Sequence, residues 1–271
     1  MGRKPGQLNE LVVLVRGGGE MATGVVHRLV QSGFRVCIAE IAQPIAVRRG
    51  VAFCEAVPEG HKEVEGLIAQ RAETPGEIPD LWGKGKIPIL VDPEGELRRT
   101  LRPHVLIDAI MAKKNLGTRL DDAPLVIALG PGFEAGKDAH FVIETNRGHG
   151  LGRVISSGTA EPHTGRPGEI GGYSVERVLR APADGIFQGK KRIGDPVEAG
   201  EVVATVEGIP LPSKISGVLR GLLRDGLKVR QGMKVGDVDP RGVRDYCFTI
   251  SEKARAIGGG VLEAILRVYN K

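Results

Sequence analysis

The segment 11–40 reads LVVLVRGGGEMATGVVHRLVQSGFRVCIAE, and the fold class follows from it. Leu11 to Val15 is an apolar run without polar alternation, the pattern of a strand buried on both faces of a parallel sheet. A glycine loop follows directly. Gly17, Gly19 and Ala22 fill the pattern G-x-G-x-x-G/A, with Gly18 and Met21 between them. In that pattern the first glycine makes the tight turn, the second admits a pyrophosphate close to backbone, and the third small residue lets helix approach strand. Met21 to Gln31 carries Val25, Val26, Leu29 and Val30 at helical spacing, and Ser32-Gly33 stops it. Phe34 to Ala39 is the next strand, closed by Glu40 roughly 20 residues beyond the glycines, where a carboxylate can accept hydrogen bonds from ribose hydroxyls. Strand, loop, helix, strand and terminal acid in this order predict a Rossmann-like first unit, with Gly17, Gly18, Gly19, Met21, Ala22 and Glu40 as cofactor-binding candidates.

Further strands are expected at 88–92, 104–110, 125–129 and 140–144, with residues before Leu8 a loose end and 57–72 a helix covering the sheet through Val64, Leu67 and Ile68. Leu97 to Leu101 reads as a charged connection. Asp92 and Asp108 stand at strand ends, where an acid either caps the next helix or reaches a ribose or metal. Arg48 and Arg49 follow the acid-bearing strand, and one of them can grip an anion. Cys54 is either a packed thiol or a sulfur or selenium relay. After the 125–129 strand, Gly130 and Gly132 open a second glycine loop that is expected at the same sheet edge as the first, so both join the cofactor-binding candidates. After the 140–144 strand, Glu144, Asn146, Arg147 and His149 bring carboxylate, amide, guanidinium and imidazole into one hinge-rich loop, the candidate catalytic or substrate-end group. His149, set between glycines with no Ser or Cys nucleophile nearby, suggests solvent exposure as readily as acid–base work. No metal site is expected.

Beyond this the texture changes. Residues 161–178 are rich in proline and glycine and read as a linker, followed by short strands with regular turn signals. An internal repeat runs through 181–236: a G-x-x-V-x-x-G-x-x-V phrase from Gly194 and again from Gly226, each after a proline and a glycine with apolar residues, Pro182 and Gly185-Ile186-Phe187 in the first copy and Pro212 and Gly217-Val218-Leu219 in the second. The repeat resembles the barrel-sandwich hybrid of biotinyl and lipoyl domains. Its central hairpin, Glu207 to Leu211, has no lysine to carry a prosthetic group, so a docking or oligomerisation element is expected. The predicted organisation is a Rossmann-like domain at 1–160, the linker at 161–178, the barrel-sandwich hybrid at 179–244, and a C-terminal strand (246–250) and helix within 245–271 packing back on the body. The expected class is α/β, a mostly parallel sheet with helices on both faces plus a small all-β domain.

Composition narrows the function classes. In 271 residues there are 40 glycines, 4% aromatics and a formal charge of +5. The basic residues near 190 and 220–230 lack aromatic interleaving, which argues against nucleic acid as a partner. Cys37, Cys54 and Cys247 are odd in number and scattered, pointing to a reducing compartment. The apolar runs are strand-sized, which argues against membrane insertion, and a cytoplasmic location is expected.

Six stretches carry a further likeness: VRGGGEMATGVVHRL, VAFCEAV, LIDAIMAKKN, ALGPGFEAGKDAHFVIETNRGHGLGRVI, GLLRDGLKVRQGMKVGDVDPRG and ISEKARAIGGGVLEAIL. Together they resemble the YqeB-like family of accessory proteins of the selenium-dependent molybdenum hydroxylase system. The resemblance implies a maturation factor acting on the molybdenum cofactor or its selenium, with a molybdenum hydroxylase as client, and it transfers no catalytic residue. The cofactor then expected is a nucleotide or dinucleotide, NAD-like or molybdopterin dinucleotide. Two other readings stand beside it: an NAD(P)-dependent oxidoreductase acting on a sulfur, selenium or small-molecule substrate, and a non-catalytic scaffold. A homo-oligomer is compatible with each.

Overall fold

The computed structural model describes residues 8–270, so the expected loose end before Leu8 lies outside the described residues. The described residues divide into two compact units, one of residues 8–44, 53–163 and 250–270, the other of residues 45–52 and 164–249.

The first unit opens with strand β1 (Val12–Arg16), helix α1 (Glu20–Gln31) and strand β2 (Arg35–Glu40). It continues through helix α2 (Ala56–Glu59), strands β3 (His61–Val64) and β4 (Leu67–Arg71), helix α3 (Ile78–Gly83) and strand β5 (Ile87–Val91). Helix α4 (Leu97–Leu101), strands β6 (Val105–Asp108) and β7 (Leu125–Leu129), the short β8 (Glu134–Ala135), β9 (Phe141–Ile143), β10 (Val154–Ile155) and β11 (Gly158–Thr159) follow. Nine of these strands form one sheet in the order β10-β9-β7-β6-β1-β2-β5-β4-β3, and β8 pairs with β11 apart from it. All neighbours from β9 to β4 run parallel; only β3 and β10, at the two edges, are antiparallel.

Burial on both faces explains the unbroken apolar strands. Leu14, Cys37, Leu90, Leu106 and Val126 meet Ile78 of α3 and Leu97 of α4 in one cluster. The alternating residues Val13, Val15, Ile38, Ile89, Ile107 and Ile127 are equally buried on the opposite face. That face lies under α1, whose Val25, Val26 and Leu29 are wholly buried, each worth about 1.5–3 kcal/mol relative to exposure. Helix α5 (Glu252–Tyr269), in the same unit, runs parallel to α1 at glycine-limited separation. A Cβ on Gly24 would come within 2.6 Å of the Ala254 side chain, and one on Gly258 within 2.8 Å of the Gly24 carbonyl.

Three local expectations are corrected. Residues 61–71, expected as helix, form the β3–β4 hairpin. Its two-residue turn places Glu65 and Gly66 at φ +46° and +80°, the doubly positive turn that suits strand twist; the resulting Val64, Leu67, Ile68 spacing imitates a helical stripe. Leu97 to Leu101 is helical because both oxygens of Asp92 accept backbone N–H groups at its start, from Glu96 and Leu97 at 2.8 Å each. The strand expected at 246–250 is instead a 3₁₀ turn over Arg244–Cys247.

The second unit holds β12 (Val178–Arg180), β13 (Gly185–Gly189), β14 (Pro196–Val197), β15 (Val202–Val206), β16 (Ile209–Pro212), β17 (Gly217–Leu222), β18 (Lys228–Val229) and β19 (Lys234–Asp239). They form two four-stranded sheets, β12-β19-β17-β14 and β16-β15-β13-β18. Advancing every strand by four, and starting again after β19, converts the first order into the second. Each half of the repeat therefore contributes two strands to each sheet, and the shared core includes Phe187, Val203, Val206, Leu219, Leu222, Val235 and Val238.

Candidate functional site

The six strands β9-β7-β6-β1-β2-β5 have the order 6-5-4-1-2-3 when numbered among themselves, so the chain reverses its direction of growth between β1 and β6. In open parallel sheets the crevice beyond the carboxyl ends at such a reversal is where ligands bind. Here it is bounded by Arg16-Gly17-Gly18-Gly19 on one side and Asp108-Ala109-Ile110 on the other.

The three glycines of the first loop meet different surroundings. Gly17, at φ +93°, takes a backbone conformation that favours glycine, and a Cβ there would lie 3.0 Å from the Ala109 carbonyl oxygen. Gly18 is closed in by the chain itself: a Cβ would stand 2.9 Å from the Cys54 nitrogen, and the Cys54 N–H donates to the Gly18 carbonyl at 2.8 Å. Gly19 is open, with nothing within 4 Å of a Cβ, and it is the N-cap of α1 with no side chain capping it. Ala22 is fully buried where α1 leaves the sheet, whereas Met21 is half-buried.

Glu40 points into this loop. One carboxylate oxygen accepts the Gly18 N–H at 2.8 Å and the other accepts its neighbour Ile41 N–H at 2.8 Å. Burial pushes its pKa up, against the pull of those two N–H groups. Beneath the loop, Arg16 and Asp108 are register partners, both nearly buried, 3.7 Å apart. Thr118 joins them, accepting from Arg16 and donating to Asp108 at 2.6 Å. Burial raises the Asp108 carboxyl while Thr118 and Arg16 hold it down. Asp108 is thereby committed to a buried network, and Asp92 to its helix.

The remaining expected site residues divide between packing and surface. Gly130 and Gly132 lie at φ +74° and +106°; Gly130 sits against the Thr145 side chain and Gly132 against the backbone of Lys113 and Lys114, a Cβ coming within 2.6 Å of Lys114. Glu144 is 1% exposed and accepts the Asn146 N–H at 2.7 Å and the Glu161 N–H at 2.8 Å. The Asn146 amide donates to Glu161, and Arg147 pairs with Glu252 at the start of α5. His149 is exposed. Arg48 and Arg49 are engaged inside the second unit, Arg48 donating to the Tyr246 carbonyl at 2.9 Å and Arg49 to that of Leu222 at 2.8 Å. Cys54 is 1% exposed, with its thiol pushed well above the ordinary range by burial and then by Glu40, the condition of an inert packed thiol.

One functional candidate escaped the sequence reading. Ser251 caps α5 and donates to Glu20 at 2.8 Å, joining the first turns of α1 and α5. Lys253, in that first turn of α5, has its pKa lowered by burial and then by Arg147, with Glu20, Glu144 and Glu252 opposing. His163 is lowered in turn by partial burial, Lys113 and Lys253. The only signal in the sequence was a lysine placed where a helix start prefers acids. The first turns of the two helices also carry Glu20 and Glu252, so Lys253 shares this corner with carboxylates.

No family model matches the chain. It is 49% identical over 260 residues to the uncharacterized protein YqeB of Escherichia coli (strain K12), an alignment covering 96% of this chain and 48% of that protein. The chain is similar to YqeB over nearly its whole length. It spans about half the length of this curated relative. Among solved structures, an aspartoacylase family protein from Mesorhizobium loti aligns at 10% identity over 84% of each chain with a TM-score of 0.25. The product-bound ectoine utilization protein EutE (DoeB) from Ruegeria pomeroyi aligns at 11% over 84% of each chain with a TM-score of 0.24. Among the described residues, no helix is long and apolar enough to cross a membrane.

Proposed function

We propose that the first unit binds a phosphate-bearing nucleotide or dinucleotide at the carboxyl edge between β1 and β6. The observation that carries this reading is the glycine loop at the sheet's reversal point, with Glu40 turned into the loop and the Gly19 face left open. Phosphate would meet the first turn of α1, with Lys253 supplying charge; a ribose would compete with the Gly18 and Ile41 N–H groups for Glu40.

In this reading the protein is a cytoplasmic accessory factor in maturation of selenium-dependent molybdenum hydroxylases, holding a nucleotide-form molybdenum cofactor while its second unit docks the client. The exchange symmetry of the two small sheets supports a barrel-sandwich hybrid there, and the β15–β16 turn, Glu207-Gly208, offers no lysine to modify. Binding is favoured over redox catalysis because three of the four expected substrate-end residues already hold protein partners, Glu144 two backbone N–H groups, Asn146 Glu161 and Arg147 Glu252, and His149 is exposed.

Equilibrium binding of NAD, NADP, ATP, CTP and molybdopterin dinucleotides to the purified protein tests the reading. Tight dinucleotide binding without NAD turnover, lost in Gly19→Val, supports it. NAD reduction would transfer the case to an oxidoreductase, and absence of binding by every nucleotide would leave a scaffold.

A further inference from the structure

A cavity of about 500 Å³ lies at the opposite end of the sheet from the glycine loop, where β2 and β5 begin. Arg35 and Glu40 are the two ends of β2, about 17 Å apart at the rise of an extended strand, so this hollow is separate from the crevice described above. Its volume falls in the range of small-molecule sites. Phe34, Val36 and Ile87, all at most 5% exposed, form an apolar floor. Trp82 stands in the wall, half-buried. Its indole N–H donates to the Val36 carbonyl at 2.8 Å, which ties the ring edge to β2.

The rim is charged with one sign. Arg35 and Lys86 line the cavity, and no carboxylate does. The Lys86 ammonium donates to the Gln70 amide oxygen at 3.0 Å, a neutral acceptor. The C-terminal ends of α1 and the six-residue α3 also face this region. At most about half a negative charge arises at each helix end, and the last carbonyls are already taken: Ser32, Gly33 and Phe34 N–H groups bond α1, and those of Lys84, Gly85 and Lys86 bond α3. Two full cations outweigh that residue. Gly33 and Gly85, at φ +86° and +67°, turn the chain with nothing within 4 Å of a Cβ, leaving the mouth unobstructed.

We propose that this cavity is a second ligand site, for a small planar aromatic carboxylate stacked on Trp82 with its charge toward Arg35 and Lys86. An aromatic plane over an apolar floor accommodates a flat ring. Cations at one side of the mouth select an anion over its neutral isostere.

Trp82 is the chain's single tryptophan, so one indole N–H resonance in a ¹H–¹⁵N spectrum reports on the site in the intact protein. Titration with 2-naphthoate should shift that resonance saturably at micromolar to millimolar concentration, and 2-naphthamide should bind about tenfold more weakly. Gly83 lines the cavity and has nothing within 4 Å of a Cβ, so Gly83→Leu should fill the space, keep the remaining spectrum and lose binding by about tenfold or more. Arg35→Met, at an exposed position, should bring the affinity for naphthoate down toward that for the amide. The proposal is overturned by a resonance that does not move, by equal binding of acid and amide, or by undiminished binding in a folded Gly83→Leu protein. Should that variant not fold, an unchanged affinity in Arg35→Met overturns it instead.

Discussion

Gly18 and Gly19 are adjacent in sequence and face opposite circumstances, which makes them a sensitive test of the site. At Gly19 the backbone is already at φ −69° and ψ −175°, open to any L-residue, and a Cβ meets nothing within 4 Å. Gly19→Val should therefore cost no more than about 1 kcal/mol, the difference between glycine and a poor N-cap. At Gly18 a new methyl would stand 2.9 Å from the Cys54 nitrogen and 3.1 Å from its Cα, backbone atoms that cannot swing aside. Relief means displacing a loop that is held by the Cys54 N–H on one side and Glu40 on the other. Overpacking of about 1–3 kcal/mol plus about 1 kcal/mol for a weakened hydrogen bond puts Gly18→Ala near 2–4 kcal/mol. Urea unfolding of both variants measures the stabilities, and nucleotide titration measures the affinities. The expected result is a stable Gly19→Val protein that no longer binds and a destabilised Gly18→Ala protein. Equal destabilisation by the two, or intact binding in Gly19→Val, would refute the assignment of the open face.

Glu40→Ala should lose about 1–3 kcal/mol even without ligand, because it strands the buried Gly18 N–H; unchanged unfolding would mean that water replaces the carboxylate. Glu65 accepts the Ile250 N–H at 2.8 Å and both arms of its carboxylate meet Arg255. Although partial burial raises it, the Ile250 N–H and Arg255 hold its pKa below the ordinary 4.5. A depressed carboxylate contributes stability that is present above its unfolded pKa and lost as pH falls through the folded one. Acid should therefore loosen the start of α5, read as faster amide exchange over 250–255, with Glu65→Gln showing that exchange already at neutral pH and little further change below 4.5. Arg177, 7% exposed, donates to Asp237 at 2.6 Å. Lys234 stands 3.3 Å from the same Asp237 oxygen and remains when Arg177 is removed, and Arg177 also donates to the Gly168 carbonyl. Arg177→Met should therefore cost about 1–3 kcal/mol in unfolding of the second unit, and adding Lys234→Met should cost more by leaving the acid unpaired; equal stabilities of the single and double variants would discount the pairing.

The parallel sheet, the glycine loop and the twofold repeat are legible in the residue order alone, because each is written in short-range chemistry: apolar runs buried on both faces, glycines clustered at a strand end, and turn signals at matching intervals. Residues 61–71 are not, since a two-residue turn can set apolar side chains at helical spacing. What occupies the space around the glycines is set by contacts between distant parts of the chain. Gly18 yields to Cys54, Gly132 to Lys113 and Lys114, and Gly24 to α5, whereas Gly19 alone among Gly17, Gly18 and Gly19 remains open. Glu144 reads in sequence like a catalytic carboxylate and is spent on two backbone N–H groups, while Ser251 and Lys253 meet Glu20 of α1 only because α5 returns beside that helix. A glycine or a carboxylate has the same appearance in sequence whether it faces a ligand or its own chain; which of these it meets is fixed by contacts between residues far apart along the backbone.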